Sequence, residues 1–256
     1  MKRIATAAVM VPVFTWIVLF APYEIFRAAL LIVGALAYLE FHALARGTGA
    51  DGARIPTWMG VAAGAALLYA PEPAIVAILI AGTTMALALH SADLTDALPS
   101  AGAVTLGSLY IFGAWRAAAE IRLISPHWLM LAMLLSWVGD TFAYYTGKAI
   151  GRHKLASRVS PAKTWEGSAG SVVGAMLAGI LYAHYLIPGA TLAEVLIASA
   201  AGNLAGQIGD LCESALKRGA GVKDSGTLLP GHGGWLDRID SSLFAVPVVY
   251  ACLRFL

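Results

Sequence analysis

Long apolar runs, separated by short polar breaks, follow one another along the whole chain. A membrane-spanning helix needs about 20 mostly apolar residues, because the hydrocarbon core of a bilayer is about 30 Å thick. Turn-forming residues occupy the breaks, as at Pro71-Glu72-Pro73 and Ile187-Pro188-Gly189. The pattern predicts nine transmembrane helices, over residues 4–21, 25–45, 56–71, 74–91, 102–120, 127–148, 167–187, 192–213 and 238–256.

The composition agrees with this pattern. Of the 256 residues, 59% are hydrophobic and 12% are charged, whereas a soluble domain usually has about 25% charged residues. A soluble globule and a disordered chain are therefore both excluded. The two cysteines, Cys212 and Cys252, are too few and too far apart for a disulfide framework or a zinc site. The expected fold is an all-α, polytopic integral membrane protein with about nine transmembrane helices.

The basic residues indicate how the helices are oriented. With a cytoplasmic N-terminus and nine spans, 13 of the 17 Lys and Arg residues face the cytoplasm, which agrees with the positive-inside rule. The C-terminus then lies on the opposite side. The net charge of +2 gives no indication of nucleic-acid binding. The compact chain and the lack of further targeting segments favour a bacterial inner (cell) membrane.

The two halves of the chain differ in polarity. Residues 1–130 form about five apolar helices with short loops, and Gly60, Gly64 and Gly102 in this half are predicted to allow close helix packing. Residues 131–256 form about four helices with cytoplasmic substrate loops. Within this half, residues 136–241 hold most of the polar residues that are predicted to lie at or near the depth of the membrane. We therefore expect the chemistry in the second half.

The first polar cluster is Trp137–Tyr145, in the sixth predicted helix. Its carboxylate, Asp140, lies inside an apolar span, where an ionised group is costly unless it is paired, binds a metal or faces water. Asp140 is therefore a candidate functional residue. The alternative is an ion pair with a basic residue on a neighbouring helix.

The second cluster is the loop over residues 151–167. Ser160, Lys163 and Thr164 stand just ahead of a predicted helix start, where free backbone N–H groups favour phosphate. The other basic residues of the loop can simply hold it against anionic lipid headgroups, and this interpretation suits Arg152 and Lys154 well.

The third cluster extends from Gly209 to Ser241. One helix face is predicted to carry Asp210, Glu213, Ser214 and Lys217, because they have the i, i+3, i+4, i+7 spacing. Asp237 shares a face with Asp240 and Ser241 at the start of the ninth predicted helix. The glycine-rich loop between the two helices allows backbone N–H groups to approach phosphate oxygens. Carboxylates suit Mg²⁺, and the nearby lysines and arginines suit phosphate. These features together predict a metal-dependent nucleotide site.

The third cluster also carries a family signature. Its specified residues fall within 27 positions, in the order Ser214, Lys217-Arg218, Lys223-Asp224, Gly226, Leu229-Pro230, His232-Gly233-Gly234, Asp237-Arg238 and Asp240. This pattern resembles the phosphatidate cytidylyltransferases (CDP-diacylglycerol synthases), and the stretches Gly139-Asp140-Thr141 and Ser160–Gly167 also look like that family. Trp235 departs from the pattern, because an aliphatic residue is expected there.

The resemblance implies that a phosphate oxygen of phosphatidic acid attacks the α-phosphorus of CTP and expels pyrophosphate, with the active site facing the cytoplasm. One or two Mg²⁺ ions are expected as cofactors. Phosphatidic acid, CTP and membrane lipid are the expected partners, no nucleic acid is expected, and the resemblance together with the small-residue-rich helices suggests a homodimer.

Individual residues take roles in this reaction. Asp210 and Asp237 are the first expected metal ligands, followed by Asp140 and Asp224. The expected catalytic residues are Asp210, Asp237, Lys217, Arg218, Asp224 and Asp240. The expected substrate-binding residues are Ser160, Lys163, Thr164, Glu166, Ser214, Lys223, His232, Gly233, Gly234 and Arg238. For His232 a hydrogen bond that orders the loop is an equal alternative to a phosphate contact.

Two other classes of protein compete with this interpretation. A transporter would use carboxylates within the membrane as ion sites, but the polar residues here gather at one membrane face. A CDP-alcohol phosphotransferase is not supported, because Asp51-Gly52-Ala53-Arg54 only superficially matches its pattern. A CTP-dependent lipid kinase is compatible with the composition, but the loop signature argues against it.

Overall fold

The chain folds almost entirely into helices. The structure is a computed structural model that describes residues 2–49, 55–91, 93–228 and 233–256. The α-helices are α1 (Lys2–Leu19), α2 (Tyr23–Gly47), α3 (Thr57–Tyr69), α4 (Pro73–Ala88), α5 (Ala97–Ser108), α6 (Ala114–Ile124), α7 (Pro126–Ile150), α8 (Trp165–Leu186), α9 (Leu192–Gly219) and α10 (Leu236–Phe255). A 3₁₀ turn, Leu94–Asp96, precedes α5, and a π-helical turn, Leu109–Gly113, joins α5 to α6.

Each of the nine predicted segments coincides with helix. The fifth segment, 102–120, lies within the helical stretch Leu94–Ile124. Within the described residues, four helical stretches are long and apolar enough to cross a membrane, namely Tyr23–Gly47, Leu94–Ile124, Trp165–Leu186 and Leu192–Gly219. Ala8–Leu19, Thr57–Tyr69 and Pro73–Ala88 are shorter apolar helices. The prediction of an all-α membrane protein is confirmed, whereas the count of nine spans and the sides of the two termini stay predictions.

One element was missed by the sequence analysis. The loop between α7 and α8 contains an antiparallel hairpin of β1 (Lys154–Ala156) and β2 (Ser160–Thr164), in which Lys154 pairs with Thr164 and Ala156 pairs with Ser160. A tight turn closes it, where Val159 N donates to Ala156 O at 3.1 Å. The hairpin fixes the direction in which the chain enters α8.

The chain forms two compact units, and neither is continuous in sequence. The first unit comprises the residues up to Ile17, Ala21–Arg116 and Leu216–Arg238. The second unit comprises Val18–Phe20, Ala117–Ala215 and Ile239–Leu256. The segment after α9, which carries most of the family signature, therefore belongs to the same unit as α2–α5. The predicted division of the chain at residue 130 stays a prediction.

Small residues allow close packing in the core of the first unit. A Cβ added at Gly60 would meet the ring of Tyr38, and one added at Gly64 would meet the ring of Phe112. Both rings are buried, so the predicted packing role of these two glycines is confirmed. The same prediction for Gly102 is wrong, because a Cβ there would have no atom within 4 Å.

Candidate active site

In the second unit, a lysine of the hairpin meets a carboxylate of α9. Lys163 in β2 and Asp210 are 47 residues apart in sequence, and Lys163 Nζ donates to Asp210 Oδ2 at 2.5 Å. Each side chain keeps 28% of its surface exposed. Ser214, one helical turn after Asp210, donates its hydroxyl to Asp210 Oδ1 at 3.3 Å. The structure thus brings together residues from two clusters that are separate in the sequence.

Asp140 of α7 belongs to the same group. Its carboxylate interacts electrostatically with both Asp210 and Lys163. The group therefore holds two carboxyl groups and one ammonium. The alternative interpretation of Asp140, a simple ion pair with a neighbouring basic residue, does not describe this arrangement fully.

A cavity opens beside this group. Its volume is about 350 Å³, which lies within the range typical of ligand pockets. Asp140, Lys163 and Gln207 lie in its wall. The remaining lining residues come from α7, the hairpin and α8, and they are Ala143, Tyr144, Gly147, Lys148, Leu155, Ala162, Thr164, Gly167, Ser168 and Ser171.

A network of amides and hydroxyls lies beside the cavity. Gln207 Nε2 donates to Asn203 Oδ1 at 2.8 Å, and Ser168 Oγ donates to Gln207 Oε1 at 2.5 Å. Ser171 Oγ donates to Asn203 Oδ1 at 3.1 Å, and Asn203 Nδ2 donates to Leu135 O at 3.1 Å. The sequence analysis missed these residues. Two carboxamides four residues apart in an apolar helix were the available signal, because such a pair lies on one helix face.

Side chains at and before the start of α8 hydrogen-bond to its first turn. Thr164 is buried, and its hydroxyl accepts a hydrogen bond from Gly167 N at 3.1 Å, which is a standard helix N-cap. Glu166 accepts from both His153 N and His153 Nδ1, the latter at 2.6 Å, so it ties the base of the hairpin to the first turn of α8. Ser160 lies at the start of β2. Substrate contacts for these residues stay predictions.

In the first unit, a second lysine pairs with a carboxylate. Lys217 Nζ donates to Asp237 Oδ1 at 2.6 Å, and Asp237 Oδ2 also accepts from the amides of Ser225 and Gly234 at 2.9 and 2.8 Å. Asp237 lies ahead of the predicted span 238–256. Desolvation by burial opposes ionisation of its carboxyl, but the hydrogen bonds from Lys217, Gly234 and Ser225 together outweigh it and lower the Asp237 pKa.

Glu40 is a member of this second group that the sequence analysis missed. It lies on α2 and is 5% exposed. Glu40 Oε2 accepts from Ser225 Oγ and Leu236 N, both at 2.9 Å, and Oε1 accepts from Trp235 N at 3.1 Å. Trp235 takes part through its backbone, so its departure from the family pattern removes no contact here. The available signal was a lone carboxylate in an apolar span, the criterion that selected Asp140.

Glycines shape the loop around this group. Gly233 has a φ of +82°, which L-residues with a side chain rarely adopt. A Cβ at Gly226 or at Gly234 would collide with the Glu40 carboxylate. The glycines of the signature thus leave room for a side chain that comes from the first half of the chain.

The other predicted site residues show fewer contacts or lie outside the described residues. Arg218 is exposed, and its Nη1 donates to Val222 O at 3.0 Å. Lys223, Asp224 and Arg238 are also exposed. Asp240, early in α10, accepts from Ser241 N at 2.6 Å. His232 lies outside the described residues, together with Leu229, Pro230 and Gly231.

No complete cation site is formed by these side chains alone. Within residues 2–49, 55–91, 93–228 and 233–256, no three His, Cys, Asp or Glu side chains are grouped as metal ligands. However, Mg²⁺ is usually held by one or two carboxylates and completed by waters and substrate phosphates. The carboxylates of Asp140 and Asp210 match that donor set.

Comparison with known proteins identifies the family of this chain. The model of the cytidylyltransferase family matches residues 1–256. Over 158 residues, 59% of this chain and 58% of the relative, the chain is 40% identical to the phosphatidate cytidylyltransferase of Bacillus subtilis. It is 43% identical to that of Haemophilus influenzae over 123 residues, 46% of this chain and 43% of the relative. The chain thus spans about half the length of the curated relatives it matches.

Proposed function

Because this chain belongs to the cytidylyltransferase family, we propose that it is a phosphatidate cytidylyltransferase, which converts CTP and phosphatidic acid to CDP-diacylglycerol and pyrophosphate. The observation that carries the proposal is the ion pair of Lys163 and Asp210, at 2.5 Å, beside a cavity that Asp140 also lines. Such a cavity offers positive charge for phosphate oxygens and carboxylates for a cation. Curated relatives that share 36–43% identity over their matched regions carry this activity in their names.

The proposed reaction needs positioning and neutralisation of charge more than covalent help from the protein. A phosphate oxygen of phosphatidic acid forms a bond to the α-phosphorus of CTP, the bond from that phosphorus to the bridging oxygen breaks, and pyrophosphate leaves. The phosphate monoester is itself the nucleophile, so no strong base is required. Lys163 and Lys217 bind phosphate oxygens in this proposal, with the exposed Arg218, Lys223 and Arg238 as further cationic contacts.

We assign Mg²⁺ ligation first to Asp210 and Asp237, then to Asp140 and Asp224. Bound Mg²⁺ would neutralise charge on the phosphate oxygens. Lys163 and Lys217 donate hydrogen bonds to Asp210 and Asp237 and so orient both carboxylates as ligands. Asp240 has an orienting role, and Ser214 orients Asp210 through its hydroxyl. Gly233 and Gly234 shape the loop, and Ser160, Thr164 and Glu166 order the chain around Lys163.

The proposed setting is a bacterial inner membrane with the active site facing the cytoplasm. CTP is a cytosolic polyanion, whereas the acyl chains of phosphatidic acid stay in the bilayer, so a site at the cytoplasmic ends of the helices serves both substrates.

We propose nine spans with a cytoplasmic N-terminus, and a homodimer. Cysteines are introduced one at a time at Ser157 and at Gly189 in a variant in which Cys212 and Cys252 are replaced by serine, and labelling with an impermeant reagent tests the topology. Spheroplasts should expose Gly189→Cys and protect Ser157→Cys, and the reverse pattern would invert the proposed orientation.

A turnover assay tests the activity. The purified protein in detergent is given CTP labelled in the α-phosphate, phosphatidic acid and Mg²⁺, and the lipid products and pyrophosphate are followed. We expect labelled CDP-diacylglycerol, with pyrophosphate in equal amount. Asp210→Asn should abolish this turnover, whereas Asp93→Asn, which changes an exposed carboxylate that caps the turn at Thr95, should not.

The same assay distinguishes the rival activities. CTP labelled in the γ-phosphate and an added lipid alcohol give labelled lipid phosphate only if the protein is a lipid kinase. That result, or no turnover from protein that remains monodisperse, would contradict the proposal.

A further inference from the structure

Glu40 supplies hydrogen-bond acceptors to the start of a helix that lies almost 200 residues further along the chain. The first N–H groups of a helix have no acceptor within that helix. At α10 two amides, those of Trp235 and Leu236, donate to the Glu40 carboxylate across 195 and 196 residues. Since Glu40 is 5% exposed, water does not readily replace it in this position. The start of α10 is thus capped by α2.

Glu40 and Asp237 also compete for the hydrogen bond that the Ser225 hydroxyl can donate. Ser225 Oγ lies 2.9 Å from Glu40 Oε2 and 3.0 Å from Asp237 Oδ2. A hydroxyl has one hydrogen and can donate it to only one of the two carboxylates. When Ser225 donates to Glu40, the donors that Asp237 Oδ2 retains among the described residues are the backbone groups Ser225 N and Gly234 N.

The loop is built around the Glu40 side chain. Gly226 and Gly234 lack the Cβ that would collide with its carboxylate, and Ser225 next to Gly226 donates to it. The contacts therefore reach Ser225 on one side and Trp235 and Leu236 on the other, directly before Asp237 in the first turn of α10. A side chain that only filled space would not need three donors directed at its two oxygens.

We propose that Glu40 is a positioning residue, which holds Ser225 and the start of α10 at Trp235 and Leu236 so that Asp237 presents its carboxylate in a fixed direction. This inference rests on the proposed function, in which Asp237 binds the metal. It assigns α2, in the first half of the chain, a part in the chemistry of the signature segment.

The three donors explain why a carboxylate is needed at this position. Ser225 O–H, Trp235 N–H and Leu236 N–H all face Glu40, so both of its oxygens must accept. A glutamine has the same shape but replaces one oxygen with an NH₂ donor. Glu40→Gln thus removes one acceptor and leaves the packing nearly unchanged. Glu24→Gln is the matched control, because it makes the same change on the same helix at a side chain that is 73% exposed.

Hydrogen–deuterium exchange of the purified full-length protein tests the positioning without any turnover. Exchange resolved to single amides should show slow exchange at Trp235 and Leu236 in the wild type. Glu40→Gln should accelerate it by about tenfold or more, as expected for a lost hydrogen bond to a charged group, and Glu24→Gln should not. Fast exchange at both amides in the wild type would overturn the inference without the use of a variant.

Kinetics of the same variants test the link to chemistry. We expect Glu40→Gln to lower kcat by about 10- to 100-fold, as for other residues that orient a ligating group, with a smaller change in KM for CTP. A Glu40→Asp variant restores both acceptor oxygens on a shorter side chain and should recover part of kcat. Accelerated exchange in Glu40→Gln with unchanged kcat would overturn the positioning role. A wild type that lacks turnover would instead refute the proposed function, and the exchange result would then still decide whether Glu40 holds the loop.

Discussion

Lys217 Nζ and Asp237 Oδ1 lie 2.6 Å apart, and the two side chains keep only 11% and 6% of their surface exposed. A pair buried to this extent behaves differently from an ion pair at the surface. If one partner is removed, the other is left as an uncompensated buried charge, which is strongly unfavourable.

We therefore expect Lys217→Met to destabilise the protein by about 3–5 kcal/mol, the usual cost of breaking a buried pair. Thermal unfolding in detergent, followed by circular dichroism, gives the change. The double variant Lys217→Met/Asp237→Asn removes both charges and should recover part of the loss. A double variant whose destabilisation equals the sum of the two single variants would show that the residues are not coupled.

The pair of Lys163 and Asp210 should contribute less to stability and more to activity than the buried pair. Both side chains are 28% exposed, so the loss of the pair should cost about 1 kcal/mol or less in stability. We expect Lys163→Met to lower kcat about 100-fold or more, as when a group that stabilises developing charge is removed. The control Lys154→Met changes an exposed lysine of the same hairpin. Equal losses of activity in the two variants would contradict a specific role for Lys163.

Removal of Mg²⁺ should stop turnover and leave the fold intact. Asp210 and Asp237 each have a lysine partner, so neither carboxylate is left unpaired when the metal is absent. We expect EDTA to abolish product formation while it shifts the unfolding midpoint by less than about 2 °C, which is no more than 1 kcal/mol produces in a chain of this size. Excess Mg²⁺ should restore activity. A large drop in the midpoint would indicate a structural metal instead.

The contact between Glu166 and His153 should hold the hairpin in place for Lys163. We expect Glu166→Ala to make residues 152–160 more sensitive to limited proteolysis and to lower kcat about tenfold, as for residues that orient a functional group. Glu194→Ala is the control, because Glu194 holds the start of α9 through similar bonds to Thr191. Unchanged cleavage in Glu166→Ala would show that the hairpin does not depend on this contact.

The helical framework could be predicted because its signal is local. An apolar run of about 20 residues has few structures available in a bilayer, and turn residues mark its ends. The predicted candidate Asp140 follows from the same logic, since a carboxylate in such a run needs a partner, and the structure provides a favourable charge interaction with Lys163. The spacing of Asp210 and Ser214 predicts that they share one helix face, and the two side chains do form a hydrogen bond.

The partners across the chain could not be predicted in this way. The pairing of Lys163 with Asp210 depends on how a hairpin approaches a helix 47 residues later, and no local pattern encodes that approach. The hairpin itself was missed because its strands have three and five residues, with a proline in the second. Glu40 could not be assigned from the signature, because the signature lies in the polar second half of the chain, although the cost of burying a charge applies equally to the first half.

The fit of Gly226 and Gly234 around Glu40 has a consequence for the divergence of related chains. If Glu40 is replaced by a small residue, the closest steric conflict with a Cβ at position 226 disappears, whereas a Cβ at position 234 would still meet Ser225 Oγ. Replacements at positions 40 and 226 should therefore accompany one another in evolution, although almost 190 residues separate them. A search pattern built from the C-terminal signature alone would accept chains in which this inherited association has been lost.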